Sequence, residues 1–113
     1  MKVVVVGAAG QLGRVTAERW AAGHDVTALT RREVDLTDGA AVERALDALA
    51  PELIINCAAY NDVDGAEEAP VTAFAVNTLA VRSLAGVAAR TGATLVHYST
   101  DFVFDGVERS TPY

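Results

Sequence analysis

Four consecutive valines, Val3 to Val6, run directly into Gly7-Ala8-Ala9-Gly10-Gln11-Leu12-Gly13. A short β-branched run reads as a strand covered on both faces, and glycines at every third position after it read as the turn that leads such a strand into a helix. The spacing assigns each glycine a mechanical task. Gly7 permits the tight turn, Gly10 removes a side chain that would hold a pyrophosphate away from the backbone, and Gly13 lets helix and strand approach closely. The same glycines could form a strand-to-helix turn with no ligand. The valine run before them and the amphipathic helix after them supply the context for a dinucleotide cradle made by Gly7, Gly10, Gln11, Leu12 and Gly13.

Composition sets bounds on the rest. The 113 residues correspond to one domain, and 51% hydrophobic residues with a mean hydropathy of +0.24 suffice for a dense core in an α/β protein. The apolar stretch after Lys2 is too short for a signal-peptide core or a bilayer span, so no membrane segment and a cytoplasmic location are expected. One cysteine, Cys57, excludes an internal disulfide and reads as a buried space-filler. A net charge of −6, with nine Lys and Arg spread along the chain, argues against nucleic acid and anionic membranes as partners.

The periodicity predicts strand-helix units in series. Strands are expected at Lys2 to Val6, Asp25 to Leu29, Leu53 to Cys57 and Thr94 to Tyr98, with a short extended piece around Glu33 to Leu36. One helix is expected from Gln11 to about Ala22, with Leu12, Val15 and Ala22 toward the sheet and Gly23 as its stop. A second, capped by Thr37 or Asp38, carries Val42, Ala45, Leu46 and Leu49 at helical spacing and ends at Pro51. A third runs from Pro70 to about Arg90 with Val71, Phe74, Leu79, Leu84 and Val87 on its apolar circumference, closed by Thr91-Gly92. Ser99 to Gly106 and Pro112-Tyr113 read as loop. The fold class is α/β: a Rossmann-type doubly wound parallel sheet in three αβα layers, incomplete on its C-terminal side. The strand at residues 94–98 is then expected to leave exposed apolar surface or an unpaired edge unless a partner covers it.

Several residues fall where this architecture binds ligands, at the carboxyl ends of parallel strands. An arginine after the second strand pairs with a 2′-phosphate where an acidic residue would accept from a ribose 2′-hydroxyl, and the stretch is Ala28-Leu29-Thr30-Arg31-Arg32. It favours NADP(H) held by Arg31, with NAD(H) as the alternative; two solvated surface arginines are the plainer reading. Asp35 and Leu36 fall beside the adenine, Asp35 as a polar contact or as a turn former. Ala58 and Ala59 would floor the ribose and nicotinamide, and Tyr60 contacts cofactor or substrate or caps an apolar edge. Ser99 and Thr100 present hydroxyls that either cap a turn or polarise a substrate carbonyl for hydride attack. His97 reads as a packing residue, Asn77 as a buried amide bridging to a strand or loop. Asp62, Asp64, Glu67 and Glu68, before Pro70, read as the solvated N-terminal turn of a helix and not as a metal site.

These segments resemble a known family. Residues 7–13, Asp35-Leu36-Thr37-Asp38, Asn56-Cys57-Ala58-Ala59-Tyr60 with Val63-Asp64 and Glu67, Val76-Asn77 and above all Tyr98-Ser99-Thr100-Asp101-Phe102-Val103-Phe104-Asp105-Gly106 look like the dTDP-4-dehydrorhamnose reductases, extended short-chain dehydrogenase/reductases. The resemblance implies NAD(P)H-dependent reduction of the 4-keto group of dTDP-4-dehydro-6-deoxy-L-mannose to dTDP-L-rhamnose, with Thr100 as the catalytic hydroxyl. It also implies a Tyr-x-x-x-Lys pair, in which the tyrosine donates the proton. No such pair occurs in these residues: the lone lysine is Lys2, and Tyr113 falls in the Pro-Tyr segment preceding the family's catalytic tyrosine. The resemblance therefore describes a dinucleotide-binding portion, truncated and without the sugar-nucleotide domain, that binds dinucleotide weakly at best and does not turn over. A dTDP-sugar is the implied partner of the full-length protein, and a homodimer is left open. The alternatives are a non-catalytic NADP-binding protein like the regulatory subunit of methionine adenosyltransferase, or another nucleotide-sugar epimerase or dehydratase of the extended family.

Overall fold

The computed structural model describes residues 1–107, 111 and 112. The expectations for Tyr113 lie outside the described residues. The elements are β1 (Lys2–Val6), α1 (Gln11–Trp20), β2 (Asp25–Leu29), α2 (Gly39–Leu49), β3 (Leu53–Asn56), α3 (Val63–Glu68), α4 (Pro70–Phe74), a π-helical turn (Ala75–Leu79), α5 (Ala80–Thr91), β4 (Thr94–His97) and a 3-10 turn (Asp101–Val103). The four strands form one sheet in the order β2-β1-β3-β4, every pair parallel.

The sheet separates two apolar layers, and the valine run explains why. Alternate residues of a strand point to opposite faces. Val4 and Val6 pack with Ile54 against Val42 and Leu46 of α2 and Leu84 and Val87 of α5. Val3 and Val5 pack with Leu53 and Ile55 against Ala17 and Trp20 of α1. Covering both faces buries all four valines, the pattern of a central parallel strand.

Helix α1 departs from the expected phase. Leu12 and Val15, expected toward the sheet, are 46% and 49% exposed, and Ala22 lies beyond the helix. Gly13, Thr16, Ala17 and Trp20 face inward instead. Gly13 is held against the β1 turn, and residues three, four and seven positions later share its face at 3.6 residues per turn. The helix closes at Trp20, whose carbonyl accepts from the N–H groups of Gly23 and His24.

The segment from 60 to 91 also differs. The acidic residues do meet a helix start, but of a separate helix ahead of Pro70: Asp62 caps α3, accepting from the Gly65 N–H at 3.0 Å, and Asp64 stands in its first turn, whereas Glu67 and Glu68 fall at its C-terminal end. Ala69, at φ −128° and ψ 57°, separates it from α4. The following helix is interrupted by the π turn, and Val71, Phe74 and Leu79 are exposed while Leu84 and Val87 are buried. The whole helical stretch, Pro70–Thr91, is long and apolar enough by length and composition to cross a membrane; in this fold Leu84, Val87 and Ala88 lie buried in the core.

Smaller corrections concern strand ends. β3 stops at Asn56 and β4 at His97, each one residue early, and residues 31–33 and 36–37 form turns where an extended piece was expected. Asp38, not Thr37, caps α2 through the Ala41 N–H, and Gly92 ends α5 at φ +77°. β4 pairs with β3 alone among the described strands, and Val96, Tyr98 and Phe102 to Phe104 are exposed beside it.

Candidate functional site

The chain runs from β1 outward to β2, then back across β1 to β3, so the strand order reverses between β1 and β3. At the carboxyl ends of those strands lies a cleft of about 620 Å³, the position at which open α/β sheets bind ligands. The glycine loop forms its wall. Gly7 sits at φ +76°, and a Cβ there would lie 2.6 Å from the Ala58 nitrogen. At Gly13 a Cβ would lie 2.2 Å from the Gly7 carbonyl oxygen. Both glycines are demanded by the protein's own packing.

Gly10 is different. It is exposed with an extended backbone, and its added Cβ would meet only the Gly7 oxygen, at 3.4 Å. The fold tolerates a side chain here, which leaves an open cradle against the loop. Gly10 also gives α1 no side-chain cap, and the first turn holds no acidic residue. Helices α2 and α3 instead close their N-termini with Asp38 and Asp62. The first N–H groups of α1 and its positive dipole end are thus available to an anion beside Gln11 and Leu12, which line the cleft. The residues present fit a pyrophosphate.

Arg31, Asp35 and Leu36 line the end of the cleft beyond β2. Asp35 is a turn former: its carboxylate accepts from the Thr37 N–H at 2.9 Å and the Thr37 hydroxyl at 2.8 Å. The backbone bond, the hydroxyl bond and the nearby Arg31 charge hold its carboxyl below the usual aspartate range. Leu36 is half-buried against the core.

The opposite end is made by Ala58, Ala59 and Thr100. Of the expected site residues, Gly13 and Tyr60 do not line the cleft. Gly13 shapes it from behind by letting α1 approach. Tyr60 is held through its backbone: its N–H donates to Asn77 Oδ1 at 2.8 Å, and Asn77 Nδ2 donates to its carbonyl at 2.9 Å. Asn77 therefore bridges to a loop as expected, but it is exposed and not buried, and it projects from the π turn. Thr100 Oγ1 accepts from the Phe102 N–H at 3.2 Å and lies 3.4 Å from an Asp101 carboxylate oxygen. Its hydroxyl caps the 3-10 turn while still lining the cleft. Cys57, half-buried, has its thiol pKa raised by desolvation and contacts Thr16 Oγ1 at 3.9 Å. Among the described residues no group of three or more His, Cys, Asp or Glu is placed to hold a metal ion.

Asn56 is a cleft residue that the sequence reading did not single out. It is 1% exposed, and its Oδ1 accepts from the Ala58 N–H at 3.0 Å. With Oδ1 so used, Nδ2 donates to His97 Nδ1 at 3.1 Å, which makes His97 an exposed partner across the strand ends and not a packing residue. The signal was a polar residue ending the apolar run Leu53-Ile54-Ile55. Replacing Asn56 with alanine strands the Ala58 N–H, and we expect a loss of about 1–3 kcal/mol in urea denaturation.

The parallel sheet, the glycine loop and the cleft at the point of strand reversal define a Rossmann-like α/β protein. The chain belongs to the family described as the RmlD substrate binding domain, which matches residues 1–113. It is 49% identical over 106 residues to a dTDP-4-dehydrorhamnose reductase of Mycobacterium tuberculosis, covering 93% of this chain and 34% of that protein. Among solved structures, a Bacillus anthracis dTDP-4-dehydrorhamnose reductase in complex with NADP superposes with a TM-score of 0.89 at 34% identity, over 95% of this chain and 39% of that one. The Thermus thermophilus UDP-glucose 4-epimerase in complex with NAD superposes with a TM-score of 0.77 at 32% identity, over 84% of this chain and 36% of that one. The chain thus spans little more than a third of the length of these relatives.

Proposed function

We propose that the protein carrying this chain is an NADPH-dependent reductase of the 4-keto group of dTDP-4-dehydro-6-deoxy-L-mannose, and that these residues supply its dinucleotide-binding domain. One observation carries the reading: a single cleft has an arginine at the β2 end, an uncapped helix N-terminus at its middle and a threonine hydroxyl at the β4 end. The names of the relatives support the substrate class.

In this reading Gly7, Gly10, Gln11, Leu12 and Gly13 form the pyrophosphate loop, with Gly7 and Gly13 shaping it. Arg31 pairs with the 2′-phosphate, and the backbone of Asp35 and Leu36 borders the adenine. Ala58 and Ala59 floor the ribose-nicotinamide end, and Tyr60, fixed by Asn77, sets the course of the chain behind them. The cofactor, when bound, supplies hydride. Thr100 donates a hydrogen bond to the substrate carbonyl oxygen, which favours the charge that grows there. No residue of this chain is assigned the proton transfer.

The test is cofactor preference in the full-length protein. A guanidinium-phosphate pair is charge-assisted and two-pronged, so Arg31→Asp is expected to lower the NADPH-to-NADH preference roughly 10- to 100-fold. An unchanged preference would remove the phosphate assignment. Binding of NADPH without reduction of the keto sugar would instead favour a non-catalytic protein.

A further inference from the structure

We infer that Glu33 is the positioning residue for Arg31, and so a determinant of cofactor specificity outside the cleft. The inference rests on the NADPH reading above. An arginine that selects a 2′-phosphate gains affinity when the backbone carrying it is ordered before the ligand arrives, because a segment ordered only on binding costs conformational entropy at that moment. In this chain Arg31 lies on an exposed turn, and besides the burial of Val34 its order has a source next to the arginine itself.

That source is a closed set of hydrogen bonds between Thr30 and Glu33. The Glu33 carboxylate accepts from the Thr30 N–H at 2.8 Å and, through the same oxygen, from the Thr30 hydroxyl. The hydroxyl oxygen accepts in turn from the Arg32 N–H at 3.1 Å. The Thr30 carbonyl accepts from the N–H groups of Glu33 and Val34 at 3.2 and 3.1 Å. These bonds close the backbone on both sides of Arg31. They also separate the two arginines. Arg31 lines the cleft and its charge acts on Asp35, whereas Arg32 is absent from the cleft wall and its charge acts on Glu33. The Thr30 bonds hold the Glu33 carboxyl below the usual glutamate range, so the acceptor is ionised at neutral pH.

Gln tests the clamp apart from the charge, because an amide oxygen can still accept from Thr30. In the full-length protein, Glu33→Ala is expected to weaken NADPH about tenfold, the loss of a hydrogen-bond pair of modest net strength, and to leave NADH within about twofold. Glu33→Gln is expected to restore NADPH affinity to within about threefold of wild type. The idea is overturned if Glu33→Ala leaves NADPH binding unchanged, if both cofactors weaken equally, or if Gln is as damaging as Ala. Failure of the underlying reading looks different: wild type would then show no preference for NADPH. The clamp is read without cofactor from the Thr30 amide resonance, which should follow titration of a carboxyl below the ordinary glutamate value and lose that response in Glu33→Gln. An amide that ignores pH in wild type would sink the inference by itself.

Discussion

Alanine at position 13 is expected to cost the domain about 3 kcal/mol or more and to abolish NADPH binding in the same variant. The added Cβ would fall 2.2 Å from the Gly7 carbonyl oxygen and 2.8 Å from the Ala8 Cα. Both obstacles are backbone, so α1 must move off the sheet as a unit. Moving it exposes Ala17 and Trp20 and the valines beneath them, and forced overpacking of this kind lies at or above the upper end of the usual 1–3 kcal/mol range. Gly10→Ala is the informative partner. Its Cβ has room in the protein and its backbone is extended, so stability should change by no more than about 1 kcal/mol. The pyrophosphate cradle would nevertheless be filled, and NADPH affinity should fall at least tenfold by the loss of one charged hydrogen bond or more. Urea denaturation and fluorescence titration of both variants separate the two tasks. If Gly10→Ala binds NADPH normally, the pyrophosphate does not lie where the loop points.

Thr100→Val in the full-length protein should lower kcat about 10²- to 10³-fold, the usual effect of removing one donor to a developing oxyanion, with NADPH affinity within about twofold. Valine keeps the shape and deletes the hydroxyl. It also deletes the acceptor of the Phe102 N–H, so a role confined to capping the turn has to be told apart. Thr100→Ser serves for that, since serine caps the turn and retains the donor. Capping alone predicts a small stability change with kcat nearly intact in the valine variant. The catalytic role predicts intact binding, lost turnover and rescue by serine.

The glycine spacing and the valine run were legible because each depends on local chemistry: a positive φ at Gly7 with a close backbone approach at Gly13, and a β-branched strand covered on both sides. The Asp38 cap and the Gly92 stop followed for the same reason, whereas the first helix closed at Trp20, short of the expected stop at Gly23. The phase of α1 was not legible. Leu12 and Val15 outrank Gly13 and Thr16 in hydrophobicity, yet the contact of Gly13 with the β1 turn rotates them outward. The Asn56–His97 and Asn77–Tyr60 bridges were similarly hidden in their geometry, since their partners stand 41 and 17 residues apart.

Sequence by itself determined the strand-helix series, the position of the glycine loop and the candidate residues at both ends of the cleft, because propensity, turn chemistry and backbone sterics act over a few residues. Tertiary structure decided which residues share the cleft and how they are held. It put Asp35 into a turn, took Tyr60 off the wall, gave Asn56 a buried tie and set the Thr30–Glu33 clamp behind Arg31. Those outcomes depend on which strand ends are brought side by side and on which donors are left to satisfy there, quantities that exist only once β1, β2, β3 and β4 have taken their order in the sheet.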